Sequence, residues 1–109
     1  MGRKNLGEFE QMLLLAILRL RAEASGPAIA EQLEKRAGRR VSRGALYSSL
    51  DRLERKGFVR WEVESVASEQ GGAALRRFEV TPAGLAAVRE AYGAWVGMTS
   101  GLEDLLGKA

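Results

Sequence analysis

The chain has 109 residues, of which 46% are hydrophobic and 28% charged, and a formal net charge of +3. That is room for one domain with a single core and too little for two. It holds neither cysteine nor histidine, which excludes disulfides, the usual transition-metal ligands and any Ser-His-Asp or Cys-His arrangement, so no enzyme, metal or cofactor is expected.

Residues 1–6 read as a short basic arm. Residues 7–22 predict a helix. Phe9, Met12, Leu13, Ala16, Ile17 and Leu20 share one face, while Leu14, Leu15 and Leu18 lie on the other. A helix apolar on both sides is buried on more than one side. In so small a domain the second side points to another subunit. The apolar run Met12–Leu18 is far shorter than the roughly 18–20 residues that span a bilayer. Glu8, Glu10, Arg19 and Arg21 around it do not fit a secretory signal. No membrane association is expected, and a cytoplasmic setting is consistent with the composition.

Ser25-Gly26-Pro27 opens a second helix, with Ser25 as N-cap and Pro27 in the first turn. Ile29, Ala30 and Leu33 point inward, and Gly38 stops it. Arg39 and Arg40 occupy the connection. Ser42 then caps a third helix that Gly57 ends, and Leu46, Leu50 and Leu53 form its apolar stripe. Two helices joined by a short turn make a helix-turn-helix spacing. After Gly57 the period becomes two: Val59, Trp61 and Val63 alternate with Arg60, Glu62 and Glu64, a strand signature. Residues 65–74 read as a mobile hairpin tip, and Leu75–Val80 as the returning strand. Thr81-Pro82 starts a long helix. Its large-residue face is Leu85, Val88, Tyr92, Trp95, Val96 and Thr99. Ser100 and Glu103 predict a capping box for a last short helix. The fold expected is mainly α with a small β-hairpin: a winged helix-turn-helix over residues 1–81, with an N-terminal helix, and a C-terminal dimerisation helix over 82–109.

Charge is uneven along this order. From Lys35 to Arg60 nine Lys/Arg stand against two acidic residues, a net +7, whereas the rest carries eight against twelve, a net −4. Such polarity suits a polyanion, although a solvated helix face would look the same. In a helix-turn-helix the second helix enters the major groove of double-stranded DNA. Gly44, Ala45 and Ser48 are small enough for close approach, Ser42 and Arg43 stand at the leading end with Arg39 and Arg40 in the connection before it, and Arg52 and Arg55 lie further along, where they suit phosphates. Tyr47 either faces DNA or packs at the edge of the leucine stripe. Arg52 either meets DNA or pairs with a carboxylate. Arg76 and Arg77 on the hairpin are placed to grip the backbone beside the helix.

The stretch Ser42-x-Gly44-x-Leu46-Tyr47-x-x-Leu50-x-Arg52-Leu53-Glu54-x-x-Gly57-Phe58-Val59 resembles the PadR family of bacterial transcriptional regulators. Phe78-x-Val80-Thr81-x-x-Gly84, and more weakly Glu10 and Leu15 in the first helix, carry the likeness further. The resemblance is to the shorter members, in which one long helix follows the wing. It implies a homodimer on a palindromic operator, usually a repressor, with the last helix packed on the partner's first helix. The interface expected from it is Phe9, Met12, Leu14, Leu18, Val88, Tyr92, Trp95 and Val96. Some members bind aromatic or cationic compounds there, so Trp95, Tyr92 and Met12 would meet a small aromatic effector. Trp95 as a plain dimer-core residue is the other reading. Two features depart from the family: the wing, where the tip Gln70–Ala74 lacks basic residues and Arg77-Phe78 replaces a tyrosine pair, and the second helix, which begins Gly26-Pro27-Ala28-Ile29 without the aromatic and acidic residues often found there. A protein-interaction module that never touches DNA is the competing function class, because fold does not set function.

Overall fold

The computed structural model describes residues 6–64 and 75–107. Its elements are α1 (Glu8–Leu20), a 3-10 turn (Arg21–Glu23), α2 (Gly26–Ala37), α3 (Arg43–Arg55), β1 (Val59–Glu64), β2 (Leu75–Val80), α4 (Pro82–Thr99) and α5 (Glu103–Leu106). The architecture is a mainly helical winged helix-turn-helix with one antiparallel hairpin. The basic arm at 1–5 and the hairpin tip at 65–74 lie outside the described residues.

Three hydroxyl side chains start the helices where the sequence places them. Ser25 Oγ accepts from Ala28 N–H at 3.3 Å, Ser42 Oγ from Ala45 N–H at 3.1 Å, and Thr81 Oγ1 from Gly84 N–H at 3.0 Å. Each satisfies one of the donors a helix start leaves unpaired. Gly38 and Gly57 follow α2 and α3 with φ of 62° and 83°, the left-handed region where glycine has no Cβ penalty. Two ends differ from expectation. α1 stops at Leu20 rather than residue 22, because Arg21 takes φ 53°, which no right-handed helix can continue. Ser100 ends α4 instead of capping α5, and Glu103 Oε1 accepts from Gly101 N–H at 3.0 Å.

One core joins the elements: Leu13, Leu14 and Ile17 of α1, Ile29 and Leu33 of α2, Leu46, Leu50 and Leu53 of α3, Phe58 and Val59, Phe78, and Val88 of α4. Along β1 the alternating apolar residues run from buried Val59 to exposed Val63. The hairpin is anchored on its other edge too. Phe78 N–H donates to Ala24 O at 2.9 Å, and Ser25 bridges Arg77.

Thr81 and Gly84 fix the root of α4. Thr81 Oγ1 donates to Gly57 O at 2.7 Å, and its N–H donates to Phe58 O at 3.0 Å. A Cβ at Gly84 would overlap the Phe58 carbonyl and lie 2.9 Å from Val80 Cγ1, so only glycine lets the helix approach this closely. The apolar stripe of α4 then outlasts the core. Val88 is 5% exposed, but Tyr92, Trp95 and Val96 on the same face are open to solvent. Two interface assignments are corrected here. Leu14 at 0% and Val88 at 5% exposure are consumed by the chain's own core, leaving no surface for a second subunit.

Candidate nucleic-acid interface

α3 is held on three sides. Leu46, Leu50 and Leu53 face the core and Ser49 is buried. Lys56, just after the helix, turns toward α1, where its Nζ donates to both Glu10 oxygens at 2.8 and 3.0 Å. Tyr47 and Asp51 face the hairpin. What remains outward is Gly44, Ala45, Ser48, Arg52, Glu54 and Arg55, with Arg43 and Arg40 at the leading end, all exposed. A Cβ added at Gly44 would meet nothing within 4 Å. Among the described residues, Arg43 and Arg55 make no ion pair. Small residues in the middle and cations at the edges, Arg43 lying 5.7 Å from the Tyr47 ring centroid, give a surface that can enter a groove and meet an anionic wall.

Tyr47 packs within the chain while staying partly exposed. A Cβ at Gly26 would overlap its hydroxyl and sit 2.6 Å from Cζ, so the ring lies directly on the start of α2. It meets Phe78 at a centroid distance of 6.3 Å. Its role is to position α3 against α2 and the hairpin. The sequence signal was Gly26 itself, which has no other local reason to be glycine.

Neighbouring Arg76 and Arg77 point to opposite faces of the hairpin, as the two-residue period of a strand requires. Val63 pairs with Arg76 and Glu62 with Arg77. Arg76 lies over the Trp61 ring at 4.4 Å and 5.3 Å from the Tyr47 ring, and its Nη1 donates to Asp51 Oδ1 at 3.1 Å. It therefore braces the wing to α3 beside the outward surface. Arg77 turns the other way, bonded to Ala22 O, Glu64 and Glu23. It leaves the expected DNA face.

Two further arginines are drawn off by α1. Arg39 pairs with Glu8 at 3.6 Å, lies 5.0 Å from the Phe9 ring centroid and donates toward Met12 Sδ at 3.9 Å. It caps the half-buried Phe9 and Met12. Arg52 approaches Glu10 of α1 at 3.9 Å, not a carboxylate of its own helix, and its side chain stays half exposed. Arg40 is exposed and pairs with Glu34 at 3.3 Å. Burial pushes the Glu10 carboxyl upward. Lys56, the Gly7 N–H and the nearby Arg52 outweigh that and hold its pKa below the usual glutamate value. Sequence reasoning did not find Asp51, Trp61 or Lys56 as members of this site. Their signal was present only as charges and an aromatic on separate elements.

The family model for the transcriptional regulator PadR-like family matches residues 14–90, which includes α2, α3, the hairpin and the root of α4. The chain belongs to the PadR-like family. A PadR-family regulator from Eggerthella lenta DSM 2243 superposes with a TM-score of 0.67 at 25% identity, covering 91% of this chain and 84% of that one. A PadR-family regulator from Clostridium difficile R20291 gives 0.67 at 20% identity, covering 88% and 98%. The M. tuberculosis transcriptional regulator MosR, solved in complex with DNA, gives 0.59 at 25% identity, covering 91% of this chain and 63% of its own. No curated protein matches in sequence. Like its PadR-like relatives, the chain is a transcriptional regulator by family. No helix among its described residues is long and apolar enough to cross a membrane.

Proposed function

We propose that this PadR-like chain is a homodimeric repressor that reads a palindromic operator in double-stranded DNA through α3, in the cytoplasm. The observation that carries the reading is the outward surface of α3: Gly44, Ala45 and Ser48 flanked by Arg40, Ser42, Arg43 and Arg55, all exposed among the described residues. The DNA complex of MosR, which shares the fold, supports it. Arg76 extends the surface onto the wing. Residues 1–81 form the DNA-binding unit, and 82–109 form the dimerisation arm, rooted in the first unit by Gly84 and Val88. Two α4 helices meeting through Tyr92, Trp95 and Val96 cover a stripe that a single chain leaves in water. Phe9 and Met12 of α1 supply the facing wall, and Leu18 adds to the interface from the other face of that helix. A small aromatic effector between paired Trp95 rings, beside Tyr92 and Met12, completes the reading. Its support is that both aromatic rings stand exposed on one helix face.

Fluorescence anisotropy tests this, using the chain's own upstream promoter fragment and a scrambled duplex over a salt series. Tight promoter binding that weakens linearly with log salt is the expected result. Absence of binding to either duplex at low salt would overturn the DNA reading and leave the interaction module.

A further inference from the structure

α5 is bare in the chain that carries it. Leu105 is 81% exposed and Leu106 63%, and Leu102 before them is also exposed. A four-residue helix with two bare leucines beside Glu103 and Asp104 gains nothing from folding alone. Between the end of α1 and the hairpin runs an open trough of about 1060 Å³. Ile17, Leu18, Trp61, Val63, Phe78 and Val80 contribute its apolar lining, and Leu18 and Val63 are exposed within it. Arg21 stands at its edge in the positive-φ conformation and, among the described residues, pairs with no carboxylate.

The chain cannot fill its own trough. α4 starts beside Val80, on the trough's lining, and its 18 residues carry the chain about 27 Å away before α5 begins. A second copy can. Tyr92 stands close to midway in sequence between Val80 and Leu105. Two α4 helices crossing antiparallel about a two-fold axis in the Tyr92–Trp95 stretch turn the end of each helix toward the root of the other, and the non-helical Ser100–Leu102 lead α5 on toward the other chain's trough. The apolar residues fit the apolar lining, and Glu103 and Asp104 fit Arg21, because Glu64 and Glu79 of the lining are already paired with Arg77 and Arg60.

We propose that the segment Leu102–Leu106 of one chain docks in the α1–hairpin trough of a second copy, so that each wing is clamped by the partner's tail. The proposal rests on the homodimer reading. Its consequence is that wing position depends on dimer assembly: what loosens the α4 pair also releases the hairpin that carries Arg76.

Because the chain has no cysteine, cross-linking tests the contact directly. A Leu105→Cys chain and a Leu18→Cys chain, co-expressed with different affinity tags, are treated with a short bismaleimide. A Tyr92→Cys chain is treated in parallel. The expected result is a mixed covalent dimer from the Leu105→Cys and Leu18→Cys pair and a self-linked dimer from Tyr92→Cys. Self-linking at Tyr92→Cys without the mixed product overturns tail docking and leaves the dimer standing. A monomer by light scattering, with neither product, overturns the dimer reading and the docking together. In the otherwise native chain, replacing Leu105 and Leu106 by serine should raise the dimer dissociation constant about tenfold, and an unchanged constant would overturn the proposal.

Discussion

Lys56 Nζ lies 2.8 and 3.0 Å from the two carboxylate oxygens of Glu10, so the end of α3 is tied to the first turn of α1. Glu10 is almost fully buried and also accepts the Gly7 N–H at 2.9 Å. The helix proposed to meet DNA and the helix proposed to face a second subunit thus share one ion pair.

Removing one partner leaves the other buried and uncompensated. Lys56→Met should cost about 2–3 kcal/mol at neutral pH, short of the roughly 3–5 kcal/mol typical of a broken buried pair, because Arg52 stays 3.9 Å away. The folded pKa of Glu10 is depressed. Its contribution is therefore present above the unfolded value, about 4.3, and fades as pH falls through the folded one. Urea unfolding at stepped pH should show the deficit of Lys56→Met shrinking below about pH 4.3. A deficit constant across that range would mean Glu10 is not its source.

Gly26 and Tyr47 form a matched pair. Gly26→Ala should destabilise by about 1–3 kcal/mol, the range for overpacking, since its methyl overlaps the ring. Tyr47→Leu in the same chain should recover part of the loss. Additive losses in the double-variant cycle would show that the two positions do not touch.

Gly44 separates stability from binding. With open space beside it, Gly44→Ala should stabilise the protein by up to about 1 kcal/mol through helix propensity. The same methyl stands on the surface proposed to enter the groove and should weaken operator binding. A gain in both quantities would move the DNA contact elsewhere.

The arginines separate by salt dependence. Deleting a side chain that meets a phosphate should reduce the slope of log affinity against log salt by about one. Arg43→Ala and Arg55→Ala should each do so. Arg77→Ala should not, because its side chain is bound to Glu64, Glu23 and Ala22 on the far face of the hairpin.

Trp95→Ala removes the largest exposed side chain of the α4 stripe. Sedimentation should show the dimer weakened by about 2 kcal/mol, roughly thirtyfold, as for a central aromatic anchor. Titration of the same variant with planar aromatic compounds then reads the effector part of the proposal apart from the dimer part.

The order of elements, their starts at Ser25, Ser42 and Thr81, the left-handed glycines at 38 and 57 and the basic block from Lys35 to Arg60 all follow from the amino-acid sequence. Those are local properties: a cap, a backbone conformation and a period involve residues within a turn of each other. Strand alternation even required Arg76 and Arg77 to diverge. Which basic side chains face outward was decided only by the tertiary structure. Glu8 reaches Arg39, Glu10 reaches Arg52 and Lys56, Glu23 reaches Arg77, and Asp51 reaches Arg76. In each pair the carboxylate comes from a separate element, brought there by packing of the apolar faces. Leu14 and Val88 moved from an expected interface into the core for the same reason: helical period says which residues share a face, and only the packed chain says what covers it.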